Sequence, residues 1–118
     1  MTEKDPLDKL IVDESENPNI SLLAGLVSPY LRFDKKSGEI IFNEEFYKLK
    51  DWQKVLIYLL GRKVIFVKKL QKDFDEKITP KKISEILNIE SKHIRTYASR
   101  ELKGLIKSEK GKYSVPNY

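Results

Sequence analysis

Residues 78–115 restrict the fold more than any other stretch, because they set two short helix patterns three residues apart and follow them with an alternating hairpin pattern. Thr79-Pro80 opens the first helix: a threonine hydroxyl accepts from an otherwise free backbone N–H, and proline suits the first helical position. Ile83, Ile86 and Leu87 form its apolar face, leaving Lys81, Lys82 and Glu85 outside. The turn is Asn88-Ile89-Glu90, with Ile89 as its apolar plug. Ser91 is expected to cap a second helix running to about Lys103, closed by Gly104. At about 100° per residue, Ile94, Ala98, Leu102 and Leu105 fall on one side of it. Residues 105–108 and 112–115 then alternate around Glu109-Lys110-Gly111 as a β-hairpin, with Ile78 placed to pair beside it as a short strand. So short a connection, with an apolar residue inside it, suits two helices that cross steeply.

The second helix turns a distinctive face outward. Lys92, Thr96, Ser99 and Lys103 lie opposite the apolar side, flanked by Arg95 and Arg100, and no acid falls among them. Arginine pairs with guanine edges, serine and threonine with bases or phosphates, and lysine with phosphates. Small side chains at Thr96 and Ser99 would let such a helix sit deep in a major groove. Lys107, Lys110 and Lys112 make the hairpin basic, and Lys81 and Lys82 add two cations on the preceding helix. His93 reads as a surface histidine and Tyr97 as a packing residue with a wet hydroxyl. Glu101 is set near the core side by the same wheel, so either it reaches back to Lys81 or Lys82, or the helix ends earlier.

Charge follows the same division. Residues 1–43 hold 5 Lys/Arg and 8 Asp/Glu, a balance of −3, whereas residues 44–118 hold 18 and 10, a balance of +8. Such asymmetry points to a polyanionic partner.

The chain as a whole, 118 residues, is long enough for one domain with one core. Residues 1–19 form an acidic leader in which Leu7, Leu10, Ile11 and Val12 suit a helical turn or a docking strand. Residues 20–28 suit a short helix capped by Asn19 or Ser21 and ended by Pro29. Residues 30–33 and 39–42 flank a glycine-containing turn, a second hairpin signal. Asn43 is a good N-cap, and Phe46, Leu49, Trp52, Val55, Leu56, Leu59 and Leu60 make the strongest amphipathic stripe, with room for a break at Asp51. Residues 64–67 are β-like by propensity, but Leu60, Val64, Val67 and Leu70 keep helical spacing, which favours a helix continuing to about Lys72 across Gly61. Its spare face, Phe66 included, is available to a second subunit. Asp73, Asp75 and Glu76 read as a solvated charge cluster in a loop.

Absence of cysteine removes disulfides and thiolate metal sites, and a single histidine removes a histidine cluster. No P-loop, dinucleotide glycine motif or nucleophile–base pair is present, so an enzyme is not expected and no cofactor is implied. No apolar run reaches the ~18 residues of a membrane span, and no signal peptide is evident. A cytoplasmic, nucleoid-associated location is the resulting expectation.

An apolar helix, two helices about a tight turn, Gly104-Leu105-Ile106 and a basic hairpin containing Gly111 succeed one another in residues ~51–118. That order resembles the winged helix–turn–helix family, most of all the small winged-helix proteins of thermophilic archaea. The resemblance implies a mainly α fold with small β-hairpins (α+β) and a winged domain at 44–118; residues 1–43, the acidic leader, short helix and hairpin, depart from the family's minimal pattern and are expected as an extension packed on that domain. It also implies double-stranded DNA binding, with transcription regulation as the purpose. The recognition-helix role maps onto Lys92, Arg95, Thr96, Ser99, Arg100 and Lys103, and the wing role onto Lys107, Lys110 and Lys112. Members of the family often dimerise, here through the long apolar helix or the N-terminal hairpin. Others use the fold only to bind proteins, and an assembly subunit of a larger complex is the alternative function.

Overall fold

The computed structural model describes residues 20–116. The leader, the Asn19 cap and the end of the chain at Tyr118 lie outside that range. Helix α1 (Ile20–Val27) buries Leu23 and Val27 and stops before Pro29, which cannot donate the next helical hydrogen bond. Strands β1 (Leu31–Phe33) and β2 (Ile40–Phe42) form an antiparallel hairpin with Leu31 opposite Phe42. Its turn is held by Asp34, whose carboxylate accepts from the backbone N–H groups of Lys36 and Ser37 at 2.8 Å each.

Helix α2 (Glu44–Tyr47) is a single turn that buries Phe46, and a break then leads into α3 (Asp51–Lys68). Asn43 occupies the N-cap position of α2 but does not cap it with its side chain. Its carboxamide oxygen accepts from Arg32 Nε at 2.9 Å, so it tethers the hairpin to the helix instead. Residues 64–67 are helical, which settles the choice between helix and strand there. The helix ends four residues before the expected Lys72, at a left-handed Lys69 (φ 53°). The cause is the hairpin: the turn at Gly38 (φ +71°) packs on the Leu70 backbone, and a Cβ at Gly38 would stand 2.5 Å from the Leu70 carbonyl oxygen. Gln71 Nε2 also donates to the Gly38 carbonyl at 3.1 Å.

Loop 69–79 is fastened by charges on α3. Arg62 donates to the carbonyls of Asp75 (2.7 Å) and Glu76 (3.3 Å) and to the Tyr58 hydroxyl (3.2 Å), with its guanidinium over the Phe74 ring. Lys63, only 3% exposed, forms an ion pair with Glu76. Asp75 pairs with Lys112 at 3.6 Å. The expected solvated cluster is corrected for Glu76 alone, because a buried ammonium requires a carboxylate beside it, whereas Asp73 and Asp75 stay exposed.

Helices α4 (Pro80–Leu87) and α5 (Ser91–Ser99) follow, and strands β3 (Lys107–Glu109) and β4 (Lys112–Ser114) form the last hairpin. Thr79 caps α4, accepting from Lys82 N, and Asn88 ends it in the left-handed conformation. Ile78 makes an antiparallel bridge to Tyr113, with N–H···O distances of 3.0 and 2.7 Å, so it is a one-residue third strand. Ile83, Ile89, Ile94, Leu102 and Val115 share one core with Leu23, Val27, Leu31 and Phe46, so no gap in packing separates residues 20–43 from the rest. The architecture is α+β: among the described residues, five helices, of which α3 is the longest, and two small antiparallel hairpins.

Candidate nucleic-acid interface

Helix α5 is shorter than its sequence pattern suggests. Glu90, not Ser91, holds the N-cap position, and the helix stops at Ser99 with Arg100 as C-cap (φ −118°, ψ −88°). A continued helix would carry Glu101 onto the side occupied by Ile94, which is 0% exposed. Burying a lone carboxylate there is costly. The chain breaks instead: Leu102 N donates to Tyr97 O at 2.8 Å, Leu102 enters the core and Glu101 stays in solvent. Arg100 and Lys103 thus leave the helix; both are exposed, Arg100 on its C-cap and Lys103 in the following turn. Leu105, expected inside, is 41% exposed, and Ile86 of α4 is 46% exposed, so neither belongs to the core faces assigned to them.

Within α5 the outward face holds. Lys92, Arg95, Thr96 and Ser99 are exposed and fall within about 100° of arc opposite Ile94. The Thr96 hydroxyl donates to Lys92 O and the Ser99 hydroxyl to Thr96 O, both at 3.0 Å. Both hydroxyls keep acceptor capacity directed outward and stay tight against the helix. One acid does stand at the rim: Glu90 lies 3.4 Å from Lys92 Nζ. Tyr97 is half-buried, 6.5 Å ring to ring from His93, and its phenol is pushed up first by burial and then by Asp51 and Glu101.

At the tip of the last hairpin Lys110 (φ 52°) and Gly111 (φ 77°) both take positive φ, the requirement of a tight two-residue turn between twisted strands. Lys107 and Lys110 project from it, exposed. Lys112 follows the turn directly, opposite Glu109, and is held by Asp75. Lys77 pairs with Glu109 at 2.9 Å, which holds the Glu109 carboxyl below its ordinary 4.5 and the Lys77 ammonium above its ordinary 10.5. The hydrogen bond between the two groups is the leading cause in both cases. These ion pairs fix the hairpin's orientation toward loop 69–79. Lys81 and Lys82 are exposed on α4, and only the backbone N–H of Lys82 is engaged, by Thr79. Among the described residues, no ion pair occupies Lys81, Lys82, Arg95, Arg100, Lys103, Lys107 or Lys110.

The fastening pairs Lys63–Glu76, Asp75–Lys112 and Lys77–Glu109 were not readable from sequence spacing, because each joins separate elements. Among the described residues no group of three or more His, Asp or Glu is placed to hold a metal ion, and no helix is long and apolar enough to cross a membrane. No protein-family model matches the chain, and no curated protein and no solved structure shows significant similarity to it.

Proposed function

We propose that this chain is a winged-helix protein that binds double-stranded DNA and acts as a transcriptional regulator. One observation carries the reading: the exposed face of α5 presents Lys92, Arg95, Thr96 and Ser99 in one arc, with Arg100 at its end and cations without ion-pair partners around it. Helix α5 enters the major groove. Arg95 and Arg100 read base edges, Thr96 and Ser99 allow close approach, and Lys107 and Lys110 on the hairpin follow the phosphate backbone with Lys81 and Lys82. The positive tip and the fixed hairpin orientation support that division of labour.

Selection of duplexes from a random pool by the purified protein tests the proposal. Enrichment of a defined site, lost in an Arg95→Ala/Arg100→Ala variant that keeps its far-UV circular dichroism, is the expected result. A palindromic site would place two copies on the DNA, since one recognition helix reads few bases.

A second reading, a protein-contact role, is favoured by a different observation. Leu26 of α1 and Phe66 of α3 are 42% and 47% exposed, and an apolar cavity of about 300 Å³ opens between Ala24, Val27, Leu31, Phe33 and Val64. A mostly apolar lining with one cation, Lys68, at its edge fits a second copy of this chain better than a charged partner. Light scattering at rising concentration distinguishes a dimer from a monomer.

A further inference from the structure

Five lysines far apart in sequence gather at the other end of α3. Lys35 and Lys36 stand in the β1–β2 turn, Lys68 and Lys69 end α3, and Lys72 begins the loop after it; all five are exposed. The close approach of Gly38 to the Leu70 carbonyl and the Gln71–Gly38 hydrogen bond bring the three segments together. Lys48, Lys54, Lys77, Lys92 and Lys112 each pair with an acid, whereas among the described residues these five, like Lys81, Lys82, Lys103, Lys107 and Lys110, form no ion pair. The nearby carboxylates are Asp34, Glu39 and Asp73, and Asp34 is turned inward onto its own turn's backbone. A cleft of about 480 Å³ continues from this patch, lined by Lys72, Lys77, Lys82 and Lys112 and by the carboxylates of Asp73 and Asp75. The cleft thus joins Lys72 of the cluster to Lys82 in the first turn of α4, with Asp75 on its wall paired to Lys112.

Resting on the DNA-binding reading, we propose that these five lysines extend the footprint along the same duplex. The phosphate backbone flanking the site read by α5 runs past Lys82 and Lys72 to Lys35, Lys36, Lys68 and Lys69. Helix α3 has 18 residues, about 27 Å at ~1.5 Å per residue. Asp51 at its first turn lies near Tyr97 of α5, and Lys68 and Lys69 lie at its last. That span equals roughly 8 base pairs at ~3.4 Å of axis each. Lysines meet phosphates rather than base edges, so the contact adds affinity without sequence preference.

Anisotropy titrations over a range of salt, with a short duplex covering only the selected site and one lengthened by about 10 base pairs, test the proposal. A Lys35→Gln/Lys36→Gln/Lys68→Gln/Lys69→Gln/Lys72→Gln variant and a Lys68→Glu/Lys72→Glu variant with fewer changes are compared with the parent. Each lost phosphate contact lowers the salt slope by about 0.9, so a fall of about 2 to 4 is expected for the quintuple variant on the long duplex and none on the short one. Equal slopes for parent and variants on the long duplex, with the Arg95→Ala/Arg100→Ala variant still defective, would overturn the extended footprint and leave the DNA-binding reading intact. Failure of the parent to bind either duplex would overturn both. Binding of the lysine patch to anionic phospholipid vesicles, without effect on duplex, would also overturn the footprint.

Discussion

Gly61 lies in the middle of α3, where alanine would normally be favoured by about 1 kcal/mol. Here the gain is opposed by contact. A Cβ at position 61 would stand 2.6 Å from Leu31 Cδ1 and 3.2 Å from Ile40 Cδ1, so the buried Leu31 side chain must shift toward the cavity it lines. Inserting a methyl into such a packed place costs about 1–3 kcal/mol, so Gly61→Ala is expected to destabilise the protein by about 1 kcal/mol net. Leu31→Ala alone should cost about 2–5 kcal/mol, since it leaves a cavity. When the two are combined, the methyl introduced by Gly61→Ala enters the space vacated by the Leu31 side chain, and the helix gain is recovered. The double variant should therefore be more stable than the sum of the singles by about 1–2 kcal/mol, a coupling expected of residues in contact. Urea unfolding followed by circular dichroism measures all four proteins. A Gly61→Ala protein stabilised by the full helix-propensity gain, with an additive cycle, would show that the N-terminal hairpin does not sit on α3 as described.

Glu76→Leu removes the carboxylate paired with the buried Lys63 ammonium and should cost about 3–5 kcal/mol, whereas Lys63→Met/Glu76→Leu should recover most of it; urea unfolding of both variants checks this. Lys110→Gly removes a left-handed non-glycine residue and should raise stability by about 0.5–1 kcal/mol. The same variant should lower the salt slope of duplex binding by about 0.9 if Lys110 meets a phosphate. Glu109 and Asp75 are held below their ordinary 4.5 and 3.8, Glu109 chiefly by Lys77 and Asp75 chiefly by the Lys77 backbone N–H. Their folded values lie under the unfolded ones, so the stability they contribute is present above the unfolded values and drains as pH falls through the folded ones. Lys77→Gln should move the acid unfolding midpoint of a circular dichroism titration upward, and added salt should narrow the difference from the parent.

Local chemistry was the readable part of this fold. Thr79-Pro80, Asn88-Ile89-Glu90 and Lys110-Gly111 carry their own caps and turn conformations, so their elements stand where the residues indicate. The bridge from Ile78 to Tyr113 also followed from pattern. Competition between levels was not readable. Asn43 has the right chemistry for a cap, but Arg32, eleven residues away, offers its oxygen a charged donor. Position 101 lies on the core side of the α5 wheel, and tertiary burial of Leu102 ends α5 before the carboxylate would be buried. Of the candidate site, the α5 face was legible because it repeats within one helix. The lysine cluster at the end of α3 was not, because three segments form it only after Gly38 meets Leu70.

The central claim is that the outer face of α5 and the cations around it hold duplex DNA. Affinity for a duplex carrying the selected site, measured across salt concentrations for the parent and for Arg95→Ala/Arg100→Ala, tests it most directly. Seven cations there lack ion pairs, so a slope of log affinity against log salt reaching up to about 6 in magnitude is expected if each meets a phosphate. Contacts that the arginines make to base edges instead would register as loss of site preference in the double variant. A folded double variant that keeps full affinity and preference, or a parent whose binding does not change with salt, would contradict the account.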